Sequence, residues 1–185
     1  MFEFLEKVSG IPVFHAQFYD ESSLERALFH LVDAACLEGV SHLMLYIAGH
    51  GKAKNLYSPD GCKVKLTEIF RLISLYGTPY ISGLILDACD LGQNRKVIED
   101  GIQDTELRWV FGYEYSVDFV ASTLINFRLI SEVGKLPRHK VTSSKILKKT
   151  IQKALNTFNL DWPIAYSDKS KSKIALRDSV CTYLV

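Results

Sequence analysis

The segment 43-LMLYIAGHGKAK-54 decides the fold class, because it begins as a continuous apolar run and changes character abruptly at His50. A short apolar run of this kind is typical of a strand buried on both faces of a parallel sheet. A second run, 81-ISGLILDAC-89, has the same design and leads to Asp87 and Cys89. The two runs predict neighbouring strands with ionisable side chains at their carboxyl ends.

Strand and helix patterns alternate along the rest of the chain. Further strands are predicted at residues 11–19 and 108–113, and a β-hairpin is predicted to turn at Asp60-Gly61. Helices are predicted at about residues 22–38, 67–77, 116–125 and 144–158, the first three with caps at Ser22, Thr67 and Ser116. This alternation is typical of an α/β fold with a mainly parallel sheet, and we expect one domain spanning residues 1–185.

Composition excludes several classes of function. The formal net charge is +1, so nothing in the overall charge favours nucleic acid or an anionic membrane as a partner. No apolar run approaches the roughly 18 residues that a membrane span needs, and the first ten residues do not read as a secretory signal. We therefore expect a cytoplasmic protein. The 4 cysteines contain no Cys-x-x-Cys pair for zinc or redox chemistry, and in a non-secreted protein they are predicted to be reduced thiols. We expect no metal and no cofactor.

His50 and Cys89 form the candidate catalytic pair. The carboxyl ends of parallel strands gather at one sheet edge, where open α/β sheets bind ligands, so these two residues are expected to be neighbours. An imidazole can activate a thiol as nucleophile and can later protonate a leaving amine. The backbone N–H groups of Gly51 and Cys89 could stabilise the oxyanion of a tetrahedral intermediate.

Other interpretations of these residues remain open. A cysteine at the end of an apolar strand is often a small buried hydrophobe, and a histidine before glycine is often a loop residue. The main alternative is therefore a binding or regulatory module with Cys89 buried and no turnover. A doubly wound nucleotide-binding domain is disfavoured, because no glycine-rich loop follows the first predicted strand.

Two short motifs, "YIAGHG" and "LILDACDLG", resemble the caspase-like fold shared by caspases, metacaspases, separases and the bacterial CHAT-type peptidases. The segment "WVFGYEYSVDFVASTLI" extends the likeness to small bacterial caspase-like proteins, so that it covers roughly residues 11 to 130. The resemblance implies a three-layer sandwich with helices on both faces of a sheet of about five to six strands. It also implies a cysteine endopeptidase with His50 as general base and acid, Cys89 as nucleophile, and Gly51 with the Cys89 amide as oxyanion hole.

Asp87 is the most informative departure from the caspases, which carry Gln-Ala-Cys where this chain has Asp-Ala-Cys. Metacaspases have aspartate here, and it lines the pocket for a basic side chain at P1, the residue on the amino side of the cleaved bond. Asp87 is therefore predicted to select arginine or lysine, the alternatives being a solvated loop acid or a partner for a nearby arginine. Asp118 is a weaker candidate for substrate binding, since an acid near a helix N-terminus also stabilises the helix.

Two further segments bear on the site. The resemblance leads us to expect that the first strand of the family's sheet is either missing or replaced by residues 2–8. The polar segment 90–107 predicts a loop with a short helix, which we expect to be mobile or to cover the site. The resemblance implies a protein or peptide substrate, and an activating protein or ligand as partner, in bacterial defence or regulated proteolysis; the oligomeric state stays open.

Overall fold

The computed structural model describes residues 6–7, 9–40, 42–58 and 60–185. Strands lie at Leu43–Ala48 (β1), His50–Lys52 (β2), Asn55–Tyr57 (β3), Lys63–Lys65 (β4), Ile81–Asp87 (β5), Trp109–Tyr113 (β6), Ser116–Val117 (β7), Pro163–Ser167 (β8), Ser172–Ala175 (β9) and Val180–Leu184 (β10). Helices lie at Glu21–Leu37 (α1), Leu66–Leu72 (α2), Arg95–Gln103 (α3), Phe119–Val133 (α4), Arg138–Val141 (α5), Ser144–Leu155 (α6) and Leu176–Ser179 (α7). A π-helical turn, Ile73–Gly77, continues α2.

The central sheet has the strand order β1-β5-β6-β10. The first three strands are parallel, and β10 runs antiparallel to β6. Two small antiparallel sheets, β2-β3-β4 and β7-β8-β9, stand beside it. The predicted mixed α/β fold with a mostly parallel sheet is confirmed. The expected five to six strands are wrong for the described part of the chain, where the central sheet has 4.

Helices cover both faces of this sheet because the side chains of β5 alternate between two apolar cores. Leu84 and Leu86 pack with residues of α1, α2 and α3, whereas Ile85 packs with residues of α4 and α6. All three β5 side chains are fully buried, and each such burial is worth about 1.5–3 kcal/mol. The resulting core holds the carboxyl ends of β5 and β6 in fixed positions.

The edge strand β1 departs from two predictions. Most of its residues are only half-buried, whereas burial on both faces was predicted. Residues 11–18, predicted as a strand, form none, and no backbone hydrogen bond joins these described residues to β1. Both segments instead line two cavities of about 650 and 580 Å³. Pro12 also lacks the N–H that a ladder would use. Apart from residues 6–7, the proposed replacement strand at residues 2–8 lies outside the described residues.

The predicted helix caps are displaced from the observed ones. Helix α1 begins after Asp20, which shares a capping box with Ser23, rather than at Ser22. Helix α2 begins after Lys65, so that Thr67 lies inside it. Helix α4 begins after Asp118, not Ser116. Several short polar residues lie close together before α1 and α4, and each of them could cap the helix. Which one becomes the cap depends on where the preceding segment turns into the helix.

The hairpin after His50 is confirmed as predicted. Strands β3 and β4 are antiparallel, and Gly61 in the turn has a φ of +79°, which favours glycine. Leu56 and Val64 are fully buried, so the hairpin is anchored in the core of the molecule. It therefore forms a fixed support for the strand that starts at His50.

Segment 90–107 is more ordered than predicted. The short helix is confirmed as α3, preceded by a 3₁₀ turn at Leu91–Gln93. Ile98 and Ile102 of α3 are buried in the core. The expectation of a long loop is wrong, since most of the segment is helical and packed; its covering of the site stays a prediction.

Candidate active site

The ends of β1 and β5 bring His50 and Cys89 to the same sheet edge. Ala48 is paired with Asp87 in parallel register, and the Gly49 N–H donates to the Asp87 carbonyl oxygen at 3.3 Å. His50 lies two residues after Ala48, and Cys89 lies two residues after Asp87. The parallel register of β1 and β5 therefore places both residues at the carboxyl edge of the sheet, as the sequence predicted.

Gly51 lies directly against the backbone of Cys89. A Cβ atom added to Gly51 would lie 1.9 Å from the Cys89 carbonyl oxygen and 2.8 Å from its amide nitrogen, distances that no real side chain tolerates. Only glycine permits this approach. The chain segments that follow β1 and β5 thus pack backbone against backbone, with His50 one residue from the contact.

A second contact fastens the same two segments together. The side-chain amide of Asn94 donates to the carbonyl oxygen of Ala53 at 2.6 Å and to that of Leu91 at 3.0 Å. Ala53 lies in the turn between β2 and β3, while Leu91 follows Cys89. Asn94 therefore ties the histidine hairpin to the cysteine turn, a role that the sequence did not reveal because the contact spans 41 residues.

Both candidate catalytic side chains have access to solvent. His50 is exposed, and Cys89 is a free thiol of intermediate burial. His50 begins β2, where it is paired with Tyr57. The structure records no hydrogen bond between these two described side chains, and catalytic contacts of this type commonly tighten when substrate binds.

Asp90 sets the direction of the chain after Cys89. Its backbone is left-handed, with a φ of 65° and a ψ of −11°, a conformation that costs a non-glycine residue about 1–2 kcal/mol. Burial raises the pKa of its carboxyl group, the negative charge of Asp168 adds to the shift, and Lys169 opposes it. Sequence reasoning missed Asp90. Its only signal was that aspartate adopts the left-handed region more readily than most residues.

Asp87 is buried, with 7% of its surface exposed, and its carboxylate accepts a hydrogen bond from the Tyr46 hydroxyl. The two alternatives for Asp87, a solvated loop acid and an arginine partner, are therefore wrong. Burial and the charge of Asp87 raise the pKa of Tyr46, and the nearby Asn126 amide only partly offsets this. Tyr46 was missed as well, although a tyrosine in an apolar strand signals a hydroxyl that needs a partner.

A buried polar cluster continues from Tyr46 toward α4. The Tyr113 hydroxyl donates to Asn126 Oδ1 at 3.0 Å and to the Ser122 carbonyl oxygen at 3.3 Å. Tyr113 and Asn126 are almost fully buried. Burial is the main cause that raises the pKa of Tyr113, and the charge of Asp87 adds to it. An asparagine on the apolar stripe of a helix was the signal that could have predicted this cluster.

Asp118 serves a structural purpose. It is exposed, and its carboxylate accepts the Ala121 N–H at 2.9 Å as the N-cap of α4. Losing such a cap typically costs about 1 kcal/mol. The predicted contact of Asp118 with substrate stays a prediction.

The remaining cysteines have different surroundings. Cys62 is exposed, and Cys36 is of intermediate burial. Burial, together with the negative charge of Glu114, raises the pKa of Cys181 to about 12. Its thiol also lies 3.4 Å from the carbonyl oxygens of Gly92 and Gly112. Cys181 is therefore an internal reference for an unreactive thiol.

Alkylation rates should separate these thiols. At neutral pH we expect iodoacetamide to modify Cys89 about 10-fold faster than Cys62, because a neighbouring imidazolium stabilises the thiolate. Cys181 should be the slowest. The rates follow from peptide-resolved mass spectrometry of the native protein, and His50→Ala should slow Cys89 without changing Cys62. Equal rates at Cys89 and Cys62, or labelling of Cys89 only after denaturation, would contradict activation by His50.

No family model matches the chain, and no curated protein matches it. Within the described residues, no group of three or more His, Cys, Asp or Glu side chains is placed to hold a metal ion. None of the helices in that part of the chain has the length and apolar character needed to cross a bilayer.

Proposed function

We propose that the protein is a cysteine endopeptidase of caspase-like type, in which His50 and Cys89 cleave peptide bonds after a basic P1 residue. The observation that carries the proposal is the backbone contact between Gly51 and Cys89 at the shared end of two parallel strands. It puts the segment bearing an exposed imidazole beside the segment bearing an accessible thiol.

The reaction needs no group beyond these residues, the substrate and water. His50 takes the thiol proton, and the Cys89 sulfur attacks the scissile carbonyl carbon to give a tetrahedral intermediate. His50 then gives its proton to the leaving amine as the C–N bond breaks, which leaves an acyl-enzyme. Water, deprotonated by His50, attacks the thioester, and the acid product leaves as the proton returns to the Cys89 sulfur.

The oxyanion of each tetrahedral intermediate requires donors near Cys89. The backbone amides of Gly51 and Cys89 are the proposed donors, as their segments touch. Removing a single donor of this kind costs an enzyme about 100- to 1,000-fold in rate. The proposed roles of both amides therefore depend on the close approach that glycine allows.

Asp87 is the proposed P1 selector. Its carboxylate is shielded from water and close in sequence to the nucleophile, and a shielded carboxylate attracts a cationic side chain strongly. It would repel an acidic P1 side chain for the same reason. The caspase-like assignment is further supported by helices on both sheet faces and by the small hairpin sheet directly after His50.

A peptide-library profile tests this proposal. The wild-type protein should cleave after lysine or arginine, and Asp87→Asn should lower kcat/KM for these substrates about 10- to 100-fold, since a charge-assisted contact is lost. Cys89 should still react with iodoacetamide in that variant. The matched control is Asp33→Asn, which changes an exposed carboxylate on α1 and should leave the profile unchanged.

Two outcomes would contradict parts of the proposal. A wild-type profile dominated by aspartate or apolar residues at P1 would overturn the role of Asp87 and leave the dyad standing. Absence of cleavage in any library, with Cys89 no more reactive than Cys62, would favour the binding or regulatory module.

A further inference from the structure

The Tyr46 hydroxyl donates a hydrogen bond to one of the two oxygens of the Asp87 carboxylate. Tyr46 is paired with Ile85 across the parallel strands, and Ile85 and Asp87 lie on the same face of β5. Tyr46 and Asp87 are therefore diagonal neighbours, and the phenol donates to Oδ2. Within the described residues this is the one hydrogen bond recorded to the Asp87 side chain, so Oδ1 accepts none.

The Tyr46 phenol remains the donor in this contact at neutral pH. Burial and the charge of Asp87 raise the pKa of Tyr46, so the phenol keeps its proton and remains a donor. Asn126, itself fixed by the Tyr113 hydroxyl at 3.0 Å, lies beside Tyr46 on the inner side. The packed surroundings leave the Asp87 carboxylate little freedom to turn away from the phenol.

A carboxylate held in this way treats the two basic side chains differently. The guanidinium group of arginine binds best as a planar fork that uses both carboxylate oxygens at once. The ammonium group of lysine is a compact point charge, and one oxygen is sufficient for it. Each carboxylate oxygen can accept two hydrogen bonds, so Oδ2 keeps one lone pair, but the bond from Tyr46 makes it a weaker acceptor than the unshared Oδ1.

On the basis of the proposed peptidase function, we infer that the site prefers lysine to arginine at P1 and that Tyr46 determines this preference by weakening Oδ2 of Asp87 as an acceptor for the second arm of a guanidinium fork. Tyr46 is thus a positioning residue, since it acts on the substrate through Asp87. Its removal should restore Oδ2 as a full-strength acceptor for the second arm of a guanidinium fork.

The test compares two peptides that differ only in having lysine or arginine at P1. We expect the wild-type protein to cleave the lysine peptide with the higher kcat/KM. In Tyr46→Phe, the lysine-to-arginine ratio of kcat/KM should fall about 10-fold, the effect of one hydrogen bond to a charged group. The ratio is the decisive readout, because general damage to the fold lowers both rates and leaves the ratio unchanged.

Tyr76→Phe is the matched control. The Tyr76 hydroxyl also donates to a carboxylate, Glu25 Oε1 at 2.5 Å, on a part of the molecule built from α1 and the turn after α2. Its loss should alter stability without moving the ratio.

The outcomes separate this inference from the proposed function. Cleavage with arginine preferred by the wild-type protein, or a ratio that Tyr46→Phe leaves unchanged, would overturn the inference alone. The first of these results needs no variant, so it stands even where Tyr46→Phe fails to fold. Absence of cleavage of both peptides, and of every library peptide, would overturn the proposed function and the inference with it.

Discussion

Replacing Cys89 by alanine should lower the rate of peptide cleavage at least about 10,000-fold, since a lost nucleophile removes covalent catalysis altogether. His50→Ala should lower it about 100- to 10,000-fold, the usual contribution of a general base and acid. Because the two residues act in the same steps, the double variant should be little slower than Cys89→Ala alone. The measurement is single-turnover and steady-state cleavage of a fluorogenic peptide with lysine at P1.

Cys62→Ala is the control for this experiment. Cys62 is the exposed thiol in the turn of the hairpin, so its removal changes a reactive group without touching the proposed site. It should leave cleavage unchanged. A Cys89→Ala protein that still cleaves the peptide at the wild-type rate would show that the activity belongs to a different residue or to a contaminant.

Replacing Gly51 by alanine should lower kcat/KM about 100-fold. The new Cβ would lie 1.9 Å from the Cys89 carbonyl oxygen, so the two segments must separate by more than an ångström. A displacement of that size in a catalytic arrangement costs about 100-fold. Thermal unfolding measured beside the kinetics distinguishes a shifted site from an unfolded protein.

Gly112→Ala is the matched control. It adds the same methyl group to β6, a buried strand that pairs with β5 on the side away from β1. The nearest atom to its Cβ would be 3.4 Å away, an ordinary contact, so rate and stability should change little. A Gly51→Ala protein with full activity would mean that the backbone contact plays no part in catalysis. A large loss of activity in both variants would mean that the sheet tolerates no added methyl group, and the result would then say nothing specific about the Gly51 contact.

The local parts of this fold could be predicted from the sequence. The apolar runs that became β1 and β5 are continuous, and the Asp60-Gly61 turn specifies a hairpin within a few residues. Each of these signals depends on side chains close together along the chain. The placement of His50 and Cys89 at strand ends followed from the same runs.

Patterns that need a distant partner were less reliable. Residues 11–18 have the composition of a strand but form none, because a strand requires a ladder and no backbone hydrogen bond joins these described residues to β1. Tertiary structure also decides that Asp20, rather than Ser22, caps α1. The direction from which the preceding segment enters the helix determines which polar side chain can accept from the free N–H groups of the first turn.

What the sequence by itself determined is therefore the α/β class and the position of an imidazole and a thiol at two strand ends. Only the tertiary structure decided how these groups are supported: Gly51 against Cys89, Asn94 against Ala53, and Tyr46 against Asp87. Each of these contacts joins residues about 40 positions apart. Such contacts are set by the parallel register of β1 and β5, and register is a property of two segments packed together rather than of either segment alone.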